Sequence, residues 1–289
     1  MADVAAASAV EAEVRRSLAE LAAARERAYY DEATDAAARD AYYEPITADA
    51  PPAELADALA DLLDRTHDPH APYKPAERVY PWVDLHPDGR LRSIYSGKAF
   101  EPEAFIRADA EIALRRTQHL HELARRESTL GPREFEDAFD ALERELPFNC
   151  EHVVPQSWFA KREPMRGDLH HLFACESRCN AFRGNTPYTS FGNALERLMS
   201  DCGRSEEPGF EPVAGKGPVA RATLYFLLRY PGAVSRELRE RVAVLLDWHR
   251  TEAPDDYERH RNAAIAELQG NRNPLIDHPE WADRLEFMR

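Results

Sequence analysis

The sequence predicts an α+β fold that is predominantly helical, with short strands embedded in a helical domain. Three observations predict it. Apolar residues recur three and four apart in segment after segment, the mark of helices with one buried face. Runs with strand character are short and concentrated at 90–96, 149–154 and 168–174. Glycine is scarce, at 12, while the 21 prolines are scattered and read as helix punctuation.

The elements follow in chain order. Residues 5–30 read as an amphipathic helix, with Val10, Val14, Leu18 and Leu21 on one stripe. A second helix runs from Pro52 to about Arg65 and carries Leu55, Leu59, Leu62 and Leu63 on one face. The proline-bearing stretch HDPHAPYKP is a loop. In PDGRLRSIYSGKAF, Asp88-Gly89 signals a turn, and Leu91, Ser93 and Tyr95 alternate with Arg92, Ile94 and Ser96, giving a hairpin or a single strand. A long charged helix covers 102–126, and another runs from Pro132 to about Arg144. FNCEHVV is a short strand stopped by Pro155, DLHHLFA is a second one, and ESRCNAFRGN is a short helix ended by Gly184. Further helices are predicted near 192–200, 217–229, 233–249 and 254–268, with a last short one near 279–288. Residues 1–75 form an N-terminal helical segment without an assigned function, and 76–289 form the remaining domain.

With 289 residues the chain is long enough for one large domain or two small ones, and 44% hydrophobic residues are ordinary for a globular protein. The formal net charge of −15 means that no overall field attracts a polyanion. Contacts to phosphate must then come from local arginines and lysines. No stretch is long and apolar enough to span a membrane. The N-terminus is acidic, with Asp3, Glu11 and Glu13, and lacks the basic start and apolar core of a secretory signal, so a cytoplasmic location is expected.

The informative segments are FNCEHVVPQSWF and GDLHHLFACESRCNAFRGNTPY. Glu151 and His152 adjoin on a strand. A carboxylate is a good ligand for a hard divalent cation, and a neutral imidazole is a good general base near pH 7. Asn180, on the following helix, offers a carbonyl oxygen, another hard ligand. Hydrolysis of a phosphodiester needs such a set: a base to take a proton from water, a cation to neutralise developing charge, and guanidinium groups to hold phosphate oxygens.

These segments resemble the bacterial endonuclease I family, whose pattern is roughly N-x-E-H-V-x-P-x-S-W-F, then D-L-H-x-L, then an Asn followed by R-G-N. The matching residues are Asn149, Glu151, His152, Val153, Pro155, Ser157, Trp158 and Phe159, then Asp168, Leu169, His170 and Leu172, then Asn180, Arg183, Gly184 and Asn185. GKGPVARATLYFLLRYP, QGNRNPLIDHP and IYSG extend the likeness over about 90–280. The resemblance implies a ββα-metal (His-Me) finger at about 148–186, with His152 as general base and Glu151 and Asn180 as ligands of one Mg²⁺. It also implies a nucleic acid substrate, DNA or RNA, and a 5′-phosphate product. The family's phosphate-binding arginine falls in a variable insertion, where Arg162 and Arg166 are the nearest candidates.

The remaining residues admit simpler readings. Arg183, close to Asn180, is the favoured phosphate contact among the nearby basic residues, which include Lys161, Arg178, Arg204 and Lys216. On a strand, His170 and His171 would point to opposite faces, which argues against a shared metal and for His170 as a buried, hydrogen-bonded support. Asp168 braces a turn or a neighbouring arginine, and Trp158 and Phe159 are core. Cys150, Cys175, Cys179 and Cys202 flank the segment. They form a four-thiolate structural Zn²⁺ site, disulfides, or free buried thiols. A competing function is a non-catalytic module that binds nucleic acid through a zinc-stabilised finger.

Overall fold

The computed structural model describes residues 2–287 apart from 70, 71, 127–133, 135, 136, 139, 140, 143, 144, 147, 193–199, 235–237 and 239. The first helix, α1 (Ala2–Arg25), buries Leu21 and Ala24 and packs along α5 (Pro102–Arg126). A short helix absent from the sequence reading follows, α2 (Glu32–Tyr43). Its N-cap is Asp31, whose carboxylate accepts the amides of Ala33 and Thr34 and so satisfies two donors of the first turn. Helix α3 (Pro52–Thr66) starts on a proline that loses no hydrogen bond there, and it lays Leu55, Leu59, Leu62 and Leu63 against α7 (Lys216–Arg229). One turn of α4 (Pro75–Arg78) runs into a π-helical turn over Val79–Val83, again unforeseen, which buries Val79, Tyr80 and Val83.

The strands form two-stranded antiparallel sheets among the described residues. In the first, β1 (Leu91–Arg92) pairs with β2 (Ala99–Phe100). In the second, β3 (Cys150–His152) pairs with β4 (Leu172–Ala174), in the register Cys150–Ala174, Glu151–Phe173, His152–Leu172. Helix α6 (Ser177–Arg183) follows β4 directly. A third hairpin, β5 (Gly203–Glu206) and β6 (Gly209–Pro212), was not anticipated. Helices α8 (Val242–Thr251), α9 (Asp256–Gln269) and α10 (Pro274–Asp277) complete the chain with a 3-10 turn over Pro279–Asp283. The helices expected at Pro132–Arg144 and 192–200 lie largely outside the described residues, as does part of the expected start of 233–249.

DLHHLFA departs from the single strand expected of it. Asp168 caps a 3-10 turn over Leu169–His171 through the amide of His170, and only Leu172–Ala174 is extended. An aspartate that can bond its own chain two residues on stops the strand ladder there.

Among the described residues, two apolar clusters hold the elements. One gathers Leu55, Leu59, Val153, Phe159, Phe226 and Trp248. The other lies under α1, α5 and the π-turn and contains Leu21, Val79, Ile106, Leu172 and Ile265. The helices of residues 1–75 thus feed both clusters. Buried polar clamps fix β4 between them. Arg261 of α9 donates to the Asp84 carboxylate and to the carbonyls of Leu169 and Leu172, while Asp84 accepts the amide of Ala174. The QGN segment grips the Asp168 turn. Gln269 donates to Asp168 and accepts the amide of Leu169, and Asn271 donates to the hydroxyl of Tyr225, which itself donates to Asp168.

Candidate active site

The β3–β4 pair and α6 place Glu151, His152 and Asn180 on one cleft of about 740 Å³. Two successive positions of a strand ordinarily face opposite sides. Here the strand ends at His152, and Pro155 soon redirects the chain into a 3-10 turn at Gln156–Phe159, so both residues line the cleft. Asn180 arrives from the second turn of α6. Gly184 ends that helix at φ 57°, ψ −134°, a conformation open to glycine and strained for other residues.

Glu151 is buried, and its Oε1 accepts from the Tyr95 hydroxyl (2.8 Å) and from Arg183 Nη1 (2.9 Å). Burial pushes its carboxyl up to about 7, even with the opposing pull of Arg183 and Tyr95. The ring of His152 is buried against Tyr73 (4.6 Å between centroids) and His171 (5.2 Å). Burial lowers its pKa well below the usual imidazole value, so the ring is neutral at pH 7. Its Nε2 lies 3.0 Å from the carbonyl of Arg166. A carbonyl only accepts, so the proton sits on Nε2 and the lone pair on Nδ1. Asn180 donates its amide nitrogen to the carbonyl of Cys150 (3.1 Å), which orients its Oδ1 as the remaining donor atom.

Arg183 requires a correction. It was expected to contact phosphate, yet it is only 1% exposed. Besides Glu151, it donates to the carbonyls of His152, Val153 and Thr186. Its guanidinium therefore organises the end of β3 and the carboxylate of Glu151. Of the two other arginine candidates, Arg162 donates to the carbonyl of Phe159 and does not line the cleft. Arg166 reaches Gln156 (2.9 Å) at the edge of the cleft and lies over the Tyr73 ring. Among the described residues, the cations that line the cleft are Arg116 and Lys161, besides Arg183. Sequence reading gave Arg116 no role, because it is one charge among many on α5, and it left Tyr73 and Tyr95 without a role as well. Tyr95 carried a signal, since it lies in the IYSG segment of the resemblance.

Asp168 and His170 stand behind the cleft, both fully buried. Burial opposes the charge of Asp168, but His67, His170, His171 and the Gln269 amide favour it, and its carboxyl stays below the usual range. Burial takes His170 down to about 3, and its Nε2 meets the carbonyl of Asn271.

The cysteines do not form the four-thiolate zinc site. Cys179 and Cys202 are joined in a disulfide, while Cys150 and Cys175 are free and buried. A sulfur in a disulfide is no thiolate ligand, so the four-donor set is broken. The cross-link instead ties α6 to the start of the third hairpin.

A mostly helical α+β frame in which a strand pair and the next helix bring a carboxylate, an imidazole and a carboxamide to one cleft defines the class of this protein. The chain belongs to the endonuclease I family, whose model matches residues 134–280. It is 35% identical over 157 residues to an extracellular ribonuclease of Bacillus subtilis (strain 168), covering 48% of this chain and 54% of the relative. It is 30% identical over 118 residues to an extracellular deoxyribonuclease of Aeromonas hydrophila, covering 39% and 50%. With a periplasmic deoxyribonuclease of that organism it shares 29% identity over 150 residues, covering 44% and 62%. The chain spans about half the length of the curated relatives it matches. These relatives overturn the cytoplasmic expectation, because they are extracellular or periplasmic. The Cys179–Cys202 disulfide agrees with them, since such bonds persist in oxidising compartments.

Proposed function

We propose that this protein is a metal-dependent endonuclease that hydrolyses phosphodiester bonds of DNA or RNA through a His-Me finger formed by β3, β4 and α6. The observation that carries the reading is that Glu151, His152 and Asn180 face one cleft. Neutral His152, with its proton on Nε2, offers Nδ1 to take a proton from the attacking water. Arg116 and Lys161 set positive charge on the cleft wall for the phosphate oxygens. Arg183 and Tyr95 hold the Glu151 carboxylate in place.

The donor set suits a hard cation. Asn180 Oδ1 and the Glu151 carboxylate are oxygen ligands, and the burial cost still carried by Glu151 is the kind that a bound cation relieves. Glu151 and Asn180 would hold Mg²⁺, which when bound stabilises charge on the leaving oxygen.

The test is cleavage of plasmid DNA and of single-stranded RNA by wild-type protein and by His152→Ala, each with Mg²⁺ and with EDTA. Cleavage by the wild type in Mg²⁺ alone, and its loss in His152→Ala, is expected. Near-normal turnover by His152→Ala would remove the base assignment. Binding that survives chelation without any cleavage in Mg²⁺ would favour the non-catalytic module.

A further inference from the structure

The turn that orients His152 is itself held by a second imidazole. The 3-10 turn Met165–Gly167 presents two consecutive carbonyls inward. Arg166 O accepts from His152 Nε2 at 3.0 Å, and Met165 O accepts from His171 Nε2 at 2.6 Å. His171 is wholly buried, walled by Phe159 and Phe226, with its ring 5.2 Å from that of His152. Its backbone is engaged as well, because its carbonyl accepts the amide of Val153, the residue after His152. One residue therefore contacts both ends of the His152 environment: the chain leaving β3 and the peptide next to the one whose carbonyl selects the His152 tautomer.

We propose that His171 is a positioning residue for His152. It holds the Met165–Arg166 peptide so that the neighbouring carbonyl keeps the His152 proton on Nε2 and leaves Nδ1 to face the cleft. Being buried, His171 touches no substrate and acts through the turn. A buried ring anchored by one hydrogen bond and three aromatic neighbours has few alternative rotamers, so the turn inherits its rigidity. The inference rests on the reading of His152 as general base, but its tautomer readout does not depend on activity.

The experiment uses full-length protein with ¹⁵N-labelled histidine. In the wild type, both His152 and His171 show a protonated Nε2 and an unprotonated Nδ1, and a protonated Nδ1 on either ring overturns the inference. His171→Met keeps apolar volume and loses the donor. It is expected to lower kcat on the order of 10- to 100-fold with KM unchanged, the range for partners that orient site imidazoles, and to mix the His152 tautomers. His171→Gln, which keeps a side-chain N–H, restores the single tautomer and most of kcat. A folded Met variant with wild-type kcat and an unmixed His152 tautomer overturns the inference, as does a Gln variant no better than Met. If the wild type cleaves nothing while the tautomers are as stated, the catalytic reading fails and the positioning contact stands.

Discussion

Removing Arg183 tests whether a buried ion pair organises the site. Arg183→Met takes away a guanidinium 1% exposed and leaves the buried Glu151 carboxyl with the Tyr95 hydroxyl as the remaining donor to its Oε1 among the described residues. Three carbonyls, of His152, Val153 and Thr186, lose their donor as well. Breaking a buried pair from one side costs about 3–5 kcal/mol. Unfolding entropy of about 2.1 cal/mol/K per residue over a chain of 289 residues amounts to roughly 0.6 kcal/mol/K, so Tm should fall by about 5–8 °C. The decisive measurement is a double-mutant cycle in EDTA, with Glu151→Gln as the second change, read by urea and thermal denaturation. With the charge of Glu151 removed, losing Arg183 should cost at least about 1.5 kcal/mol less, because the buried carboxyl stranded without its guanidinium, whether left charged or forced to take up a proton, was the larger part of the penalty. The same cost in both backgrounds, within about 0.5 kcal/mol, would show that the carbonyl contacts alone explain the loss and that the pair does not organise the site.

Other outcomes follow from the same geometry. Chelation should abolish cleavage and added Mg²⁺ should restore it; activity of the metal-free protein equal to that of the loaded one would refute the ligand assignment. Opening the Cys179–Cys202 bond, with a sequence separation of 23, should destabilise the fold by about 3 kcal/mol on the loop-entropy scale, measured as the shift in urea midpoint of Cys202→Ser. Asp168 has a depressed carboxyl pKa, so its stabilisation is present above the unfolded value near 4 and is lost as pH falls through the folded one. Asp168→Asn should therefore be clearly less stable than wild type at pH 7, and the gap should shrink below about pH 4; a gap independent of pH would mean that shape and not charge is at stake. Gly184→Ala should cost about 1–3 kcal/mol in thermal denaturation from the backbone conformation alone, since a methyl group there meets only ordinary contacts.

What the sequence made legible was periodicity and spacing. Helices with a regular apolar stripe, such as α3 and α7, were placed to within a residue or two of their ends. Glu151, His152 and Asn180 were legible as a set through the motifs that carry the resemblance and not through their separation, since residues 153–171 between β3 and β4 are turns and 3-10 segments. Burial was not legible. Arg183 reads as a surface cation in a string of letters, and only the closing of β3 over it shows that its donors turn inward. The α2 segment EATDAAARDAYY is alanine-rich and short, with its signal in the Asp31 cap more than in any stripe. The charged run GRSE of β5 has no alternation to announce a strand, since its pairing comes from the neighbouring hairpin arm. DLHHLFA looked extended because its apolar letters are, and the cap at Asp168 that curls its first half is a hydrogen bond no pattern displays.

The two thiols left outside the cross-link bear on how the molecule survives after folding. Burial pushes both Cys150 and Cys175 well above the usual thiol range, so neither supplies much attacking sulfur anion at neutral pH. Exchange needs that anion, and without it the bond between Cys179 and Cys202 cannot be scrambled from within. The finished protein therefore keeps its one covalent staple next to two potential competitors, which are silenced by the same packing that shapes the cleft.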